Sequence, residues 1–287
     1  MALPSTLFSF ASRLFSVRQS HVARMIHGTR NSLAAVQQNS QGSSAAVPND
    51  TDFDFADSES TVLADIEVDD TLEHKDFFGV KSLCTPQILF KHKVHYGHKG
   101  TSLDPGMKQF VYGIRSSHVI FDLDITNYHL HEALNFTSHI ALRDGIILFV
   151  ARLPHCAHVI EKTAKDCGEF AHTRQWIPGT LTNIKGFQHM ECRLPDLIIC
   201  LSTLSEFGNE HPVISEAAKL NIPTIAIVDS NCSPNLVTYP VPGNDDTPSS
   251  IELYCSLFQE AISRGKKERA RRIELLEKEI TKEMGQK

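Results

Sequence analysis

Residues 194–228 read LPDLIICLSTLSEFGNEHPVISEAAKLNIPTIAIV, and this stretch decides the fold. Two short runs within it, Leu197–Leu201 and Thr224–Val228, are almost wholly apolar and rich in Ile, Leu and Val. Runs of that kind suit strands covered on both faces. Between them Val213, Ile214, Ala217, Ala218 and Leu220 keep helical spacing, so the unit predicts strand, helix, strand. Working outward, Ile146–Val150 and His118–Phe121 are further runs of the same type. One helical pattern follows Asp124, through Leu130, Ala133, Leu134, Thr137, Ile140 and Ala141. Another follows Pro154, through Val159, Ile160, Ala164 and Cys167. Thr247-Pro248 then opens a long helix, with Thr as N-cap and Pro at the first helical position. Its expected buried stripe is Ile251, Tyr254, Leu257, Phe258, Ala261 and Ile262. Alternating strands and helices predict an α/β domain built on a mostly parallel sheet.

A chain of 287 residues, 41 % of them apolar, is long enough to bury one substantial core. The longest apolar run, Gly145–Ala151, falls far short of the roughly 18 residues a membrane helix needs. No membrane partner is expected. Seven cysteines form no C-x-x-C pair and are odd in number, which fits neither a disulfide framework nor a zinc ribbon. The net charge of −6 hides a segregation along the chain. Residues 1–49 hold four Arg and no acid, residues 50–74 ten acids and no base. Residues 75–263 are nearly balanced, and 264–287 hold nine bases against five acids. A near-neutral centre does not announce a nucleic-acid binder, because phosphate affinity needs clustered Lys and Arg.

Residues 1–30 are Arg-bearing, Ser-rich, acid-free and amphipathic, with Leu7, Phe8, Ala11, Leu14 and Phe15 at helical spacing. That is the description of an organelle transit peptide, which the resemblance given below narrows to a mitochondrial one. Residues 31–74 join a low-complexity linker to an acidic extension, residues 75–263 form the α/β domain, and residues 264–287 a charged helical extension.

Ligands of open α/β sheets bind at the carboxyl ends of the strands. Asp122, Asp124, Asp229, Asp245 and Asp246 fall at such places, and a metal-dependent hydrolase could use Asp122, Asp124 and Asp229 to hold a cation and position water. Aspartates at strand ends also cap turns and helix starts, and no nucleophile, base or phosphate loop is spaced to match. No catalytic residue, cofactor or small-molecule substrate is therefore expected. His92, His95 and His98 stand three apart and could ligate zinc from one helical face, but Gly97 and Gly100 argue against a continuous helix, so no metal site is expected either. The same segment gathers Lys91, Lys93, His98 and Lys99 around Tyr96, a composition suited to tracking a nucleic-acid backbone. Lys108, Arg115 and Arg174 could extend it.

These pieces together resemble small-subunit ribosomal protein two, of the bacterial and organellar type. The motifs run in order: HYGHK at 95–99, MKQFVYGIRSSHVIFDLDIT at 107–126, GIILFV at 145–150, HTRQWIPGTLTN at 172–183, LPDLIICL at 194–201 and IPTIAIVDSNCSPNLVTYPVPGNDD at 222–246. With a transit peptide in front, the mitochondrial branch looks closest. The resemblance implies a Rossmann-like sheet flanked by helices, no enzymatic activity, and a place in the small ribosomal subunit against rRNA and neighbouring ribosomal proteins. Bacterial members carry a long helical hairpin after the GGMLTN-like motif. Here only ten residues, Ile184–Arg193, join Asn183 to Leu194, too few for that hairpin. Bacterial members also carry an Arg-Arg-Trp-type run where this chain has Gly100–Gly106 without a base.

The last segment sets one further expectation. Its bases crowd into Arg264–Arg272, and the apolar stripe beyond, Ile273, Leu276 and Ile280, is thin. The stretch is expected to continue the helix from Pro248 and leave the domain, laying Lys266, Lys267, Arg269, Arg271 and Arg272 along rRNA phosphate. Truncation at Ser263 should then spare the folded domain.

Overall fold

The protein is described here from a computed structural model, covering residues 71–183, 193–205 and 208–285. The transit-peptide and linker readings and most of the acidic extension lie outside the described residues, as does nearly all of the 184–193 joint. In chain order the elements are α1 (Pro86–Lys91), β1 (Tyr96–Lys99), β2 (Val111–Arg115), β3 (His118–Phe121), α2 (Leu123–Leu142), β4 (Ile147–Val150), α3 (Ala157–Cys167) and β5 (Phe170–His172). There follow β6 (Leu197–Cys200), α4 (Pro212–Lys219), β7 (Thr224–Val228), β8 (Tyr239–Pro242) and α5 (Pro248–Gly285).

Five strands form a wholly parallel sheet in the order β5-β4-β6-β7-β8. The three apolar runs β4, β6 and β7 are its central strands, and their side chains divide by alternation between two cores. Ile147, Phe149, Leu197, Ile199, Ile225 and Ile227 face a core shared with α2, α3 and α5. Val150, Ile198, Cys200, Ala226 and Val228 face a second core with Val213, Ile214 and Ala217 of α4. Covering on both faces is what made these runs continuously apolar.

His118–Phe121 behaves differently from the sequence expectation. It is the middle strand of a separate antiparallel sheet, β1-β3-β2. Only Val119 and Phe121 of it are buried, so it is covered on one face. Ser116 and Ser117, at φ of 50° and 67°, make the tight turn from β2 to β3. Two consecutive left-handed residues are what a short hairpin needs, but Asn-Gly is the usual sequence signal for them, and Ser-Ser gives none. The edge strands of the parallel sheet were also hidden. β5 has three residues, and β8 holds Pro240 and Pro242, which a strand tolerates where no neighbour needs their missing N–H.

Helix α2 starts where Asp122 accepts the Asp124 N–H at 3.0 Å, and Thr126 N–H reaches the Asp122 carbonyl. Asp122 is thus a helix cap, not a ligand. Asp122→Ala should cost about 1 kcal/mol in urea unfolding, the usual worth of such a cap.

Helix α5 buries the whole stripe expected of it, from Ile251 to Ile262, and adds Leu253 and Cys255. Its contact with α2 is close because Ser138 Oγ donates to the Ala261 carbonyl at 3.0 Å and because Gly265 has no side chain. A Cβ on Gly265 would meet the Ser138 carbonyl oxygen and the Ala141 methyl. The helix therefore stays on the domain past the apolar stripe. Arg264 donates to the carbonyls of Phe78 and Gly79 at 3.0 and 2.8 Å. Lys266 reaches the Cys167 carbonyl at 2.6 Å and pairs with Glu169, whose side chain is only 5 % exposed. The departure point moves from Arg264 to beyond Arg272, and only there do Ile273, Leu275 and Leu276 stand exposed.

Candidate nucleic-acid interface

The basic segment at 91–99 is held outward by the loop beneath it. His92 Nδ1 lies 3.2 Å from the Ser249 carbonyl and 3.0 Å from its hydroxyl. Ser250 Oγ donates to the His92 carbonyl, and Asn244 Nδ2 to the Lys93 carbonyl. The start of α5 therefore fixes the α1–β1 turn, in which Lys93 adopts a left-handed φ of 61°. Lys91, Lys93 and Lys99 are exposed around it.

Strand pairing then does what sequence spacing could not show. Lys99 of β1 stands opposite His118 of β3, and His118 stands opposite Arg115 of β2. Paired residues share a face, so three exposed basic residues line up across the turn end of the ribbon. His118 was missed because nothing near it in sequence is basic except Arg115. Phe90, Tyr96, Tyr112 and Ile114 are exposed on the same segment, Tyr112 at 81 %. The outward alternation of Tyr112 and Ile114 in VYGIR was the available signal. Lys108, in the 3₁₀ turn Pro105–Phe110 that feeds β2, is also exposed.

The three spaced histidines go to three different places, which confirms that no helix carries them together. His92 ties down α5. His95 is buried, stacked 4.5 Å from Phe90, and burial holds its pKa below the usual value. His98 lies between carboxylates: Nδ1 is 2.9 Å from Asp229 and Nε2 is 3.2 Å from Asp246. The hydrogen bond to Asp229 is the main cause that raises its pKa to about 9, so both ring nitrogens are protonated and donate. His98 is therefore not free for a phosphate, contrary to the sequence expectation. Asp229 and Asp245 are both buried, and burial followed by the charge of Asp229 pushes the Asp245 carboxyl up.

Among the described residues, His98, Asp229 and Asp246 are the one set whose ligand atoms come close enough, within 4.8 Å, to hold a cation. In the arrangement seen, those atoms satisfy one another. Asp122 and Asp124 do not join the set: one caps α2 and the other is exposed. The trio required by a hydrolase using Asp122, Asp124 and Asp229 is not assembled.

Arg174 is exposed just past β5. The C-terminal bases are mostly engaged within the domain. Lys266 pairs with Glu169, Arg269 with Asp144, and Arg271 and Arg272 with Glu268. Arg272 also stacks over Phe77. Lys267 is exposed with no ion-pair partner among the described residues. The expectation that this run lies free along phosphate thus needs correction: i,i+3 and i,i+4 pairs and acids of the domain compete for it.

The described residues thus form a parallel α/β sheet that carries an antiparallel ribbon with exposed basic residues. The family model described as Ribosomal protein S2 matches residues 89–192 and 183–265, and the chain belongs to that family. The chain is 49 % identical over 205 residues to the small ribosomal subunit protein uS2m of Bos taurus, covering 71 % of this chain and 70 % of that one. It is 32 % identical over 227 residues to the small ribosomal subunit protein uS2 of Rickettsia rickettsii, covering 63 % and 75 %. The Rickettsia prowazekii protein of the same name is 32 % identical over 220 residues, covering 61 % and 73 %.

Proposed function

We propose that the chain is a structural constituent of the mitochondrial small ribosomal subunit, holding small-subunit rRNA and neighbouring ribosomal proteins in mitochondrial translation. The observation that carries this reading is the 49 % identity to a mitochondrial relative across most of the α/β domain. Lys99 and Arg115 on either side of His118 at the turn end of the ribbon, with Lys91, Lys93 and Lys108 towards its other end, supply the cationic surface for phosphate, and the exposed Tyr96 and Tyr112 supply flat faces for bases. Ile273, Leu275 and Leu276 on the far end of α5 offer apolar surface to a neighbouring protein. The role assigns no reaction to the chain. Recovery of RNA with a tagged full chain from mitochondria tests it. Small-subunit rRNA should dominate, and Lys99→Glu with Arg115→Glu should lower the yield several-fold. Recovery of no ribosomal RNA would refute the function; an unchanged yield from the double variant would remove the ribbon from the interface.

The matrix location rests on the first 30 residues. Replacing Arg13, Arg18 and Arg24 by Glu should leave the precursor in the cytosol, as seen by cell fractionation, because import receptors read a basic amphipathic helix. Normal import of that variant would remove the targeting role.

A further inference from the structure

We propose that a cleft at the carboxyl ends of β4, β5 and β6 binds a phosphate ester. The sheet order β5-β4-β6 places the next strand in sequence on one side of β4 and the one after it on the other. Chain connections leave β4 and β6 in opposite directions, which opens a crevice where doubly wound sheets take their ligands. A cavity of about 220 Å³ occupies that position. Arg152 enters it just past β4, Arg174 just past β5 and Ser205 just past β6, over Trp176 and His211.

The chemistry of the lining is that of an anion site. Neither arginine has a carboxylate partner among the described residues. Arg152 Nη1 donates to the Ser205 carbonyl at 2.9 Å, which fixes the guanidinium, while its Nε is buried with no hydrogen-bond partner in the described protein. A buried charged donor left without an acceptor calls for one. Among the described residues, the buried acid close by, Glu216, accepts from the backbone N–H groups of Gly179 and Leu181 at 2.6 and 3.0 Å, and from Trp176 Nε1 at 3.4 Å. His211 Nδ1 accepts the Val213 N–H at 3.3 Å, so in the neutral ring the proton is on Nε2, as a further donor. Burial, with His172 and Arg152 beside it, pushes the His211 pKa down to about 4 and keeps that ring neutral. Two guanidiniums and a neutral donor suit an oxyanion that only accepts hydrogen bonds. The ester has two sources, an RNA phosphodiester or a small sugar phosphate. The inference does not rest on the ribosomal role.

Trp176 is the only tryptophan of the chain, so its emission reports on this cleft. The full chain is titrated with ribose 5-phosphate and, separately, with a short oligouridylate. A saturable change is expected, weakened about tenfold by Arg174→Gln, which removes one charge-assisted contact from an exposed position, and unaffected by Lys267→Gln. Arg152→Lys, which keeps the charge but loses the fork, should weaken it as well. Tighter response to oligouridylate supports the site and assigns it to RNA. A response to ribose 5-phosphate that is no weaker supports it and assigns a small ester. No response to either probe, an equal response to ribose alone, or full affinity in Arg174→Gln would overturn it.

Discussion

Truncation after Ser263 is expected to unfold the α/β domain, or leave it barely stable. The apolar stripe of α5 survives that cut, but the polar anchors that follow do not. Removing Lys266 leaves Glu169, 5 % exposed, with its charge uncompensated at the start of β5, where among the described residues the Ile147 N–H still reaches it. Stranding a buried carboxylate costs about 3 kcal/mol. Removing Arg264 releases the carbonyls of Phe78 and Gly79, and with them the N-terminal segment that packs on α2. Bonds to a charged donor contribute about 1.5 kcal/mol each. The sum, about 6 kcal/mol, falls within the whole stability of an ordinary domain, roughly 5–15 kcal/mol. Urea unfolding of chains ending at Ser263 and at Arg272 gives the comparison. The longer one should keep its midpoint, since the helix leaves the domain only past Arg272. A native midpoint for the chain ending at Ser263 would show the anchors to be idle.

His98→Ala is the second large effect, a loss of about 2–3 kcal/mol at neutral pH. The imidazolium is the cation that faces Asp229 and Asp246, and Asp229 is 1 % exposed. Losing it strands a buried charge. Part of the ring meets solvent, which keeps the loss below that of a fully enclosed pair. The pH dependence follows from the direction of the shifts. A histidine whose folded pKa is raised to about 9 contributes its full stability below about 6.5 and loses it as pH rises through 9. Asp245, pushed up by burial and by Asp229, also binds its proton more tightly folded than unfolded, so it too favours the acid side. Thermal midpoints measured against pH should fall from pH 6.5 to 9, with the gap between wild type and His98→Ala closing over the same range. A gap that widened with pH would contradict the ion pairing.

The fold was legible where burial on two faces writes a continuous apolar run. β4, β6 and β7, and the helices between them, could be read from Ile, Leu and Val alone. β1, β2, β5 and β8 could not be, because each is short, at an edge or half-exposed, and Pro240 and Pro242 spell a loop. The ribbon was misassigned because a Ser116-Ser117 turn lacks the usual glycine. Function was legible through motif order, which no single residue carries. Individual contacts were less so: the spacing of Lys91, Lys93 and Lys99 was visible, but the alignment of Lys99 and Arg115 on either side of His118 depends on strand register. The same limit applied at the C-terminus. A run such as RGKKERARR looks free until the acids that neutralise it, Asp144 and Glu169, are brought in from more than 90 residues away.

Sedimentation of mitochondrial lysate tests the central claim most directly. The chain should travel with the small ribosomal subunit through a sucrose gradient and stay with it after a high-salt wash, because a structural constituent is held by buried protein contacts as well as by phosphate. Migration at the top of the gradient as a free protein of about 32 kDa, in low salt as in high, would contradict a structural role in that subunit.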